Sequence, residues 1–352
     1  MAFTKSAGYS NLPNGNFSPT IYSKKVQALF RKSSVAQDIT NSDYFGEISQ
    51  MGDSVKIIVE PEITVFDYSR GAKITPQDLD DSDFTLTVDR AKAFAFRVDD
   101  IEVSQSHVNW EALASSRAAY KMKDVYDKDI LGYMLGYDYD FTAGTWSARS
   151  SAVGTASRST ADSDELLGTH KLARDAFVSG GSSSDSIVVG TSGTYDATPL
   201  AVLNRMSRLL DQQNVPMDNR WFVADPIFYE LLQDEDSKLI NNDYAGGQDA
   251  GDILRNGRVT ATKVRGFTLY MSNNLPTLGT GAATIDSNGS SSNFGVVGAG
   301  HMSSTATAQQ LTKTEKLRAA DTFGDIVRGM NLYGRKILRP EGLVRAIYNI
   351  NQ

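Results

Sequence analysis

The chain has 352 residues, 40% of them hydrophobic and 22% charged, with a formal net charge of -7 and no cysteine. That composition belongs to a folded protein long enough for two lobes, since single cores stop growing at roughly 250–300 residues. It excludes disulfides, thiolate metal sites and cysteine nucleophiles, fits assembly in reducing cytosol, and argues against a surface built to hold nucleic-acid phosphates, which needs clustered Lys and Arg.

Residues 1–20 contain Gly8, Asn11, Pro13, Asn14, Gly15 and Pro19 without apolar periodicity. They read as an N-terminal arm that orders only against another surface. A short amphipathic helix is expected from Ile21 to Phe30. Alternating runs follow: Val55, Ile57 and Val59, then Ile63 and Val65 after Pro61, then Phe84, Leu86 and Val88, then Phe94, Phe96 and Val98. They predict an extended β-hairpin over 54–98 with a polar tip, Ser69 to Ser82, that holds Arg70, Lys73, Asp78, Asp80 and Asp81. A two-stranded ribbon is marginal in water, so unless it folds back on its own sheet, its apolar side needs a partner surface.

Ser106 to Leu135 predicts one long helix of about 45 Å, started by Ser104 or Ser106. Val108, Ala118, Ala119, Met122, Val125, Tyr126, Ile130 and Tyr133 share one side, and Leu113, Tyr120 and Leu131 the other. Two apolar stripes put the helix between two layers. Lys121, Lys123, Asp124, Asp127 and Lys128 are expected on a solvated face.

Ala143 to Tyr195 is rich in Gly, Ser, Thr and Ala and reads as a surface insertion with one helical piece, Glu165 to Phe177. Thr198-Pro199 opens a helix running to about Gln213, with Pro at its first position. Arg220 to Ala224 predicts a buried strand, and Pro226 to Gln233 a short helix. Val259 to Val264 and Phe267 to Met271 predict strands meeting at Arg265-Gly266, and Phe294 to Val297 another strand. Helices and strands interleave without regular alternation, so the class is α+β. No run of ~20 apolar residues marks a membrane span, and no signal peptide is found.

Little points to catalysis. His107, His170 and His301 are scattered, lack an HExxH arrangement or triad companions, and read as structural or surface histidines. Gly298-Ala299-Gly300 has Ser303 where a dinucleotide loop needs its third glycine, and reads as a tight turn after a strand. The clusters Asp78/Asp80/Asp81/Asp83 and Asp162/Asp164/Glu165 lack EF-hand spacing. No catalytic residue, cofactor or metal site is assigned.

Several stretches in order resemble the major capsid proteins of tailed double-stranded DNA bacteriophages, the Hong Kong 97-type fold. They are Gly52 to Ile57, Ile74 to Leu79, Phe84 to Asp89, Phe94 to Asp100, Gly266 to Pro276, Gln309 to Leu311, Glu315 to Arg318, Phe323 to Gly329 and Tyr333 to Glu341. The resemblance spans about Phe17 to Tyr348 and leaves Ala143 to Tyr195 unmatched. Its start near Phe17 implies a separate scaffolding protein or numbering from a processed form.

The resemblance implies a shell subunit, not an enzyme, in a virion assembled in the host cytoplasm. It implies an N-terminal arm (1–20), the start of a peripheral domain (21–53), an extended loop (54–98) and a spine helix (99–135). An axial domain (136–320, with the insertion at about 143–195), a peripheral return strand (321–340) and a final axial strand (341–352) would follow. The extended loop would lie over a neighbouring subunit, with Arg70, Lys73, Asp78, Asp80 and Asp81 as candidate inter-subunit contacts. Partners would be copies of itself in hexamers and pentamers, with portal, scaffolding and decoration proteins. Double-stranded DNA would be enclosed without specific binding, and no membrane is involved. The alternative is a cellular nanocompartment shell of the same fold enclosing protein cargo, though such chains usually have a shorter loop and no large insertion.

Overall fold

The computed structural model describes residues 34–43, 54–58, 63–71, 73, 75–78, 83–105, 110–149, 165–190, 193–233, 264–278, 294–319 and 322–350. The expected arm over 1–20, the Ile21 to Phe30 helix, His107 and the strand residues 259–263 lie outside them.

The first elements are helix α1 (Ala36–Ile39), strands β1 (Ser54–Ile58), β2 (Asp83–Thr87) and β3 (Arg90–Asp99), then helices α2 (Asp100–Gln105) and α3 (Trp110–Leu135). Strands β4 (Tyr137–Asp140), β5 (Thr145–Ala148), β6 (Lys171–Leu172) and β7 (Ile187–Val189) follow, then helix α4 (Pro199–Gln212), strand β8 (Arg220–Ala224) and helix α5 (Pro226–Leu232). Last come β9 (Thr268–Met271), β10 (Thr277–Leu278), β11 (Phe294–His301), β12 (Thr305–Arg318), β13 (Gly324–Ile337) and β14 (Leu343–Ile350).

Two sheets organise the chain. A seven-stranded sheet runs β6-β14-β11-β8-β9, with β10 beside β11 and β7 beside β14. A three-stranded antiparallel sheet runs β12-β13-β3. The larger sheet is buried on both faces. Phe222, Val297, Val344 and Tyr348 share one core with Leu203, Met206 and Leu210 of α4 and Phe228 of α5. Trp221, Val223, Val296, Leu343 and Ile347 point the other way, into a core with Ile130, Leu131, Met134 and Leu135 of α3. Strand alternation supplies both faces from the same residues in sequence. Thr198 caps α4 by accepting a bond from the Ala201 amide, and Asp225 caps α5 by accepting one from Phe228.

Several expectations change. The described part of the long helix, α3, opens at Trp110, and Ser106 lies outside the described residues; ahead of it a separate helix, α2, begins at Asp100, where the Asp99 carboxylate accepts a bond from the Ile101 amide at 2.9 Å and caps it. On α3 the supposed solvated face is partly interior, since Asp124 and Asp127 are buried. Two apolar stripes hold for its second half, which is buried between the layers, whereas the first half remains largely open.

Glu165 to Phe177 is not a helix. It forms two 3-10 turns flanking β6, which pairs in parallel with β14. Leu166 and Ala173 enter one core and Leu172 the other, a split that one helical stripe cannot serve. Gly298-Ala299-Gly300 is not a turn but the middle of β11, between β8 and β14. A Cβ on Gly298 would sit 2.4 Å from Leu135 Cδ2, and one on Gly300 would sit 2.8 Å from the Gly342 carbonyl. These glycines admit the end of α3 and the adjoining chain. The hairpin ladder expected over 54–98 closes at Thr87, and β3 instead pairs with β13. Residues 305–318, grouped above with the axial domain, belong to that same three-stranded sheet.

Gly300→Ala should therefore overpack the contact of β11 with the Gly342 turn and cost about 1–3 kcal/mol. Urea unfolding checks it, and an unchanged midpoint would mean the sheet relaxes freely there.

His170 gives a pH dependence. It is fully buried, and its Nδ1 lies 2.9 Å from the Leu343 carbonyl, so Nδ1 carries the proton and donates. Burial holds its pKa below the ordinary value, opposed by the Leu343 carbonyl and Glu341. The unfolded chain binds the second proton more readily, so this contribution is complete above about pH 6.5 and lost as the pH falls below it, until the folded ring also titrates. His170→Gln should flatten the fall in unfolding midpoint between about pH 7 and pH 5. A variant as acid-sensitive as the parent would assign that fall to other groups.

Candidate assembly surface

The base of the hairpin is well seated. In the antiparallel β1–β2 pair, Val55 faces Leu86 and Ile57 faces Phe84. Leu86 is buried in a small cluster with Ala306, Ala308 and Leu338, against which Val55, Ile57 and Val88 pack. Gly334 lets the chain cross β13, since a Cβ there would lie 2.2 Å from the Thr87 carbonyl.

Beyond that base the ribbon leaves the body. Ile58 is 80% exposed and Val65 91%, and Ile63, Phe66 and Tyr68 are exposed with them. Its two sides meet where the Thr64 amide donates to Gln77 Oε1 at 3.0 Å, and the Gly71 amide donates to the Tyr68 hydroxyl at 3.4 Å. Large apolar side chains concentrated on one projecting element mark a contact surface rather than scattered surface residues. Arg70, Lys73 and Asp78 are exposed on this ribbon, and Asp80 and Asp81 lie outside the described residues. Among the described residues no ion pair joins Arg70, Lys73 or Asp78 to another group. The structure thus adds the apolar members that a search for charged tip residues passes over. Their signal was the alternation of Ile63 and Val65, which continues the strand pattern past any ladder.

A second feature is concave. The open half of α3 and the three-stranded sheet enclose a groove of about 460 Å³. Phe94, Met122, Tyr126 and Met330 give it apolar walls, and Lys123 and Lys313 stand among its lining. Glu315 bonds both Lys313 and Arg328, the latter at 2.7 Å, and these bonds, Lys313 first, hold its carboxyl below the usual range.

At the far end of the same sheet, Phe323 is 79% exposed, its carbonyl accepting a bond from the Asp100 amide, and Ile101 is exposed as well. Arg318 bonds Asp100 and, at 3.2 Å, Asp325, which also pairs with Lys316 at 3.1 Å. The Arg318 hydrogen bond lowers the Asp100 pKa, and Lys316 followed by Arg318 lowers that of Asp325. Exposed pairs of this kind orient side chains more than they stabilise.

His301 Nδ1 is 2.8 Å from the Ser303 hydroxyl, in the turn after β11. Among the described residues no three His, Asp or Glu side chains are grouped to hold a metal ion, and no helix is long and apolar enough to cross a membrane.

No family model and no curated protein matches the sequence. Solved structures do match the fold. A chain from Mycobacterium phage Che8 is 23% identical with a TM-score of 0.66, over 95% of this chain and 97% of that one. The capsid structure of cyanophage P-SCSP1u contains a chain 18% identical with a TM-score of 0.63, over 100% of both. The capsid asymmetric unit of cyanophage Pam1 contains one 14% identical with a TM-score of 0.64, over 99% of both. The chain therefore has the α+β fold of phage capsid chains, the fold its sequence led us to expect.

Replacing Val65 and Phe66 together by Ser should leave the unfolding free energy within about 0.5 kcal/mol of the parent, since neither side chain is buried in the subunit. The same double variant should self-associate less, as sedimentation velocity would record. A large loss of monomer stability would instead show that the ribbon packs on its own body.

Proposed function

We propose that the chain is a major capsid protein, a structural subunit that assembles into the icosahedral head of a tailed double-stranded DNA phage. The observation that carries this reading is that Ile58, Ile63, Val65, Phe66 and Tyr68 of the ribbon are left in solvent by a chain of capsid fold. Burying each large apolar side chain is worth about 1.5–3 kcal/mol, so several on one ribbon supply a strong drive to associate.

In this reading α3 and the three-stranded sheet make the peripheral lobe, and the seven-stranded sheet with α4 and α5 the axial lobe. The ribbon of one subunit lies over its neighbour, where the groove beside α3 offers apolar walls. Lys123 there suits the acidic ribbon residue Asp67. Arg70, Lys73, Asp78, Asp80 and Asp81 are polar contacts across that boundary. Each added neighbour stabilises the subunit by mass action, so closed shells outlast free monomers. The net charge of -7 suits a container for an anionic genome, because weak adhesion lets DNA enter and leave. Portal, scaffolding and decoration proteins are the further partners such a subunit would meet, and its role is structural rather than catalytic.

Electron microscopy of the expressed chain, alone and with its phage's scaffolding protein, tests this. Closed icosahedral particles are expected. Shortening Ser69 to Ser82 to a tight turn should give a folded, soluble subunit that fails to close shells. Normal particles from that deletion would remove the loop from the assembly mechanism, and a monomer at high concentration under every condition would sink the proposal.

A further inference from the structure

Asp127 is fully buried in α3 and is shared by two segments distant from it in the chain. Its Oδ1 accepts bonds from the Ser34 hydroxyl at 3.0 Å, the Val35 amide at 2.9 Å and the Ala36 amide at 2.8 Å. Its Oδ2 accepts from Asn274 Nδ2 at 2.9 Å. Asn274 is itself buried, and its amide donates to the Ser272 hydroxyl, while the Ser272 amide donates to the Ala224 carbonyl at the end of β8. One oxygen therefore holds the N-terminal segment and the other holds the larger sheet.

Helix α1 depends on this arrangement. It has four residues, far fewer than an isolated helix needs, and no side-chain cap at Val35. Asp127 takes the place of that cap from another element. A buried carboxylate is tolerated only while its oxygens are bonded, so losing the donors on one side makes the donors on the other hold a costlier group.

We infer that Asp127 is a positioning residue that couples the seating of residues 34–39 to the placement of the Ser272–Leu275 turn, so that loosening either one loosens the other. The coupling is a property of the single chain and holds whether or not the chain builds shells. In a shell, it would make the path of the N-terminal segment depend on the tilt of the axial lobe.

Hydrogen–deuterium exchange on the full chain tests it through variants that touch only one side. Asn274→Ala removes the lobe donor without touching residues 34–39. Exchange of the Val35–Thr40 amides should rise about tenfold while helix α4 keeps its protection. Ser34→Ala, which leaves the lobe intact, should in turn speed exchange across residues 272–276, because coupling between sites is reciprocal. If each variant changes only its own segment, with less than a twofold effect at the other, the inference is overturned. Should Asn274→Ala unfold the chain, the Ser34→Ala readout alone decides, since Ser34 is only part-buried.

Discussion

Helix α3 has to satisfy two sheets at once, and most of the architecture follows from how its second half does so. Leu135 presses against the larger sheet at Gly298, where any side chain would collide with it. Trp146 closes over Gly132 from β5, using the space left by the missing side chain. On the side facing the three-stranded sheet, the contact is aromatic and polar together: the Tyr126 and Tyr333 rings meet edge-on at 4.9 Å beside a buried ion pair. Asp129 pairs with Arg335 at 3.0 Å and accepts a bond from the Tyr333 hydroxyl at 2.9 Å, while Arg335 lies 4.3 Å from the Tyr133 ring. Burial lowers the Arg335 pKa, and Asp129 opposes that shift. Taking either partner away would leave a buried charge with only its lesser partner, Asp138 at 3.6 Å for Arg335 and the Tyr333 hydroxyl for Asp129, so the pair holds this helix against β13.

That rigid junction explains why the ribbon can project. Its base is locked on the β12–β13 pair by Leu86 and by the crossing at Gly334, so the exposed residues beyond Ile58 are carried on a fixed support. A flexible loop with the same side chains would pay more conformational entropy on docking. The groove beside α3 belongs to the same lobe, so each subunit combines an apolar projection with an apolar recess. In the proposed shell such a pair would be heterologous and would join copies head to tail, an arrangement that generates rings when the rotation closes.

The local signals in the chain were sound where one element answers to its own residues. The Thr198-Pro199 start of α4, the Pro226 start of α5, the buried run of β8 and the alternating strands of the hairpin base all follow from local turn signals and periodicity. The ordered stretches of capsid-like text also pointed to the right fold class. The Asp127 role was not legible. A charged residue between Lys121 and Lys128 on a helix reads as solvated, and only the approach of Ser34 and Asn274, distant in sequence, turns it into a buried acceptor.

By itself, then, the sequence determined the α+β class, the edges of α4, β8, α5 and β9, and the presence of an extended apolar ribbon, because these depend on neighbours within a few residues. Only the tertiary structure decided which strand β3 joins, that Gly298 and Gly300 are packing contacts inside a strand, that residues 165–177 serve two cores, and that the ribbon's apolar side chains remain uncovered by their own chain. Each of these rests on contacts between residues far apart in the chain, and helical or strand periodicity reports which side of an element is apolar without saying what will cover it.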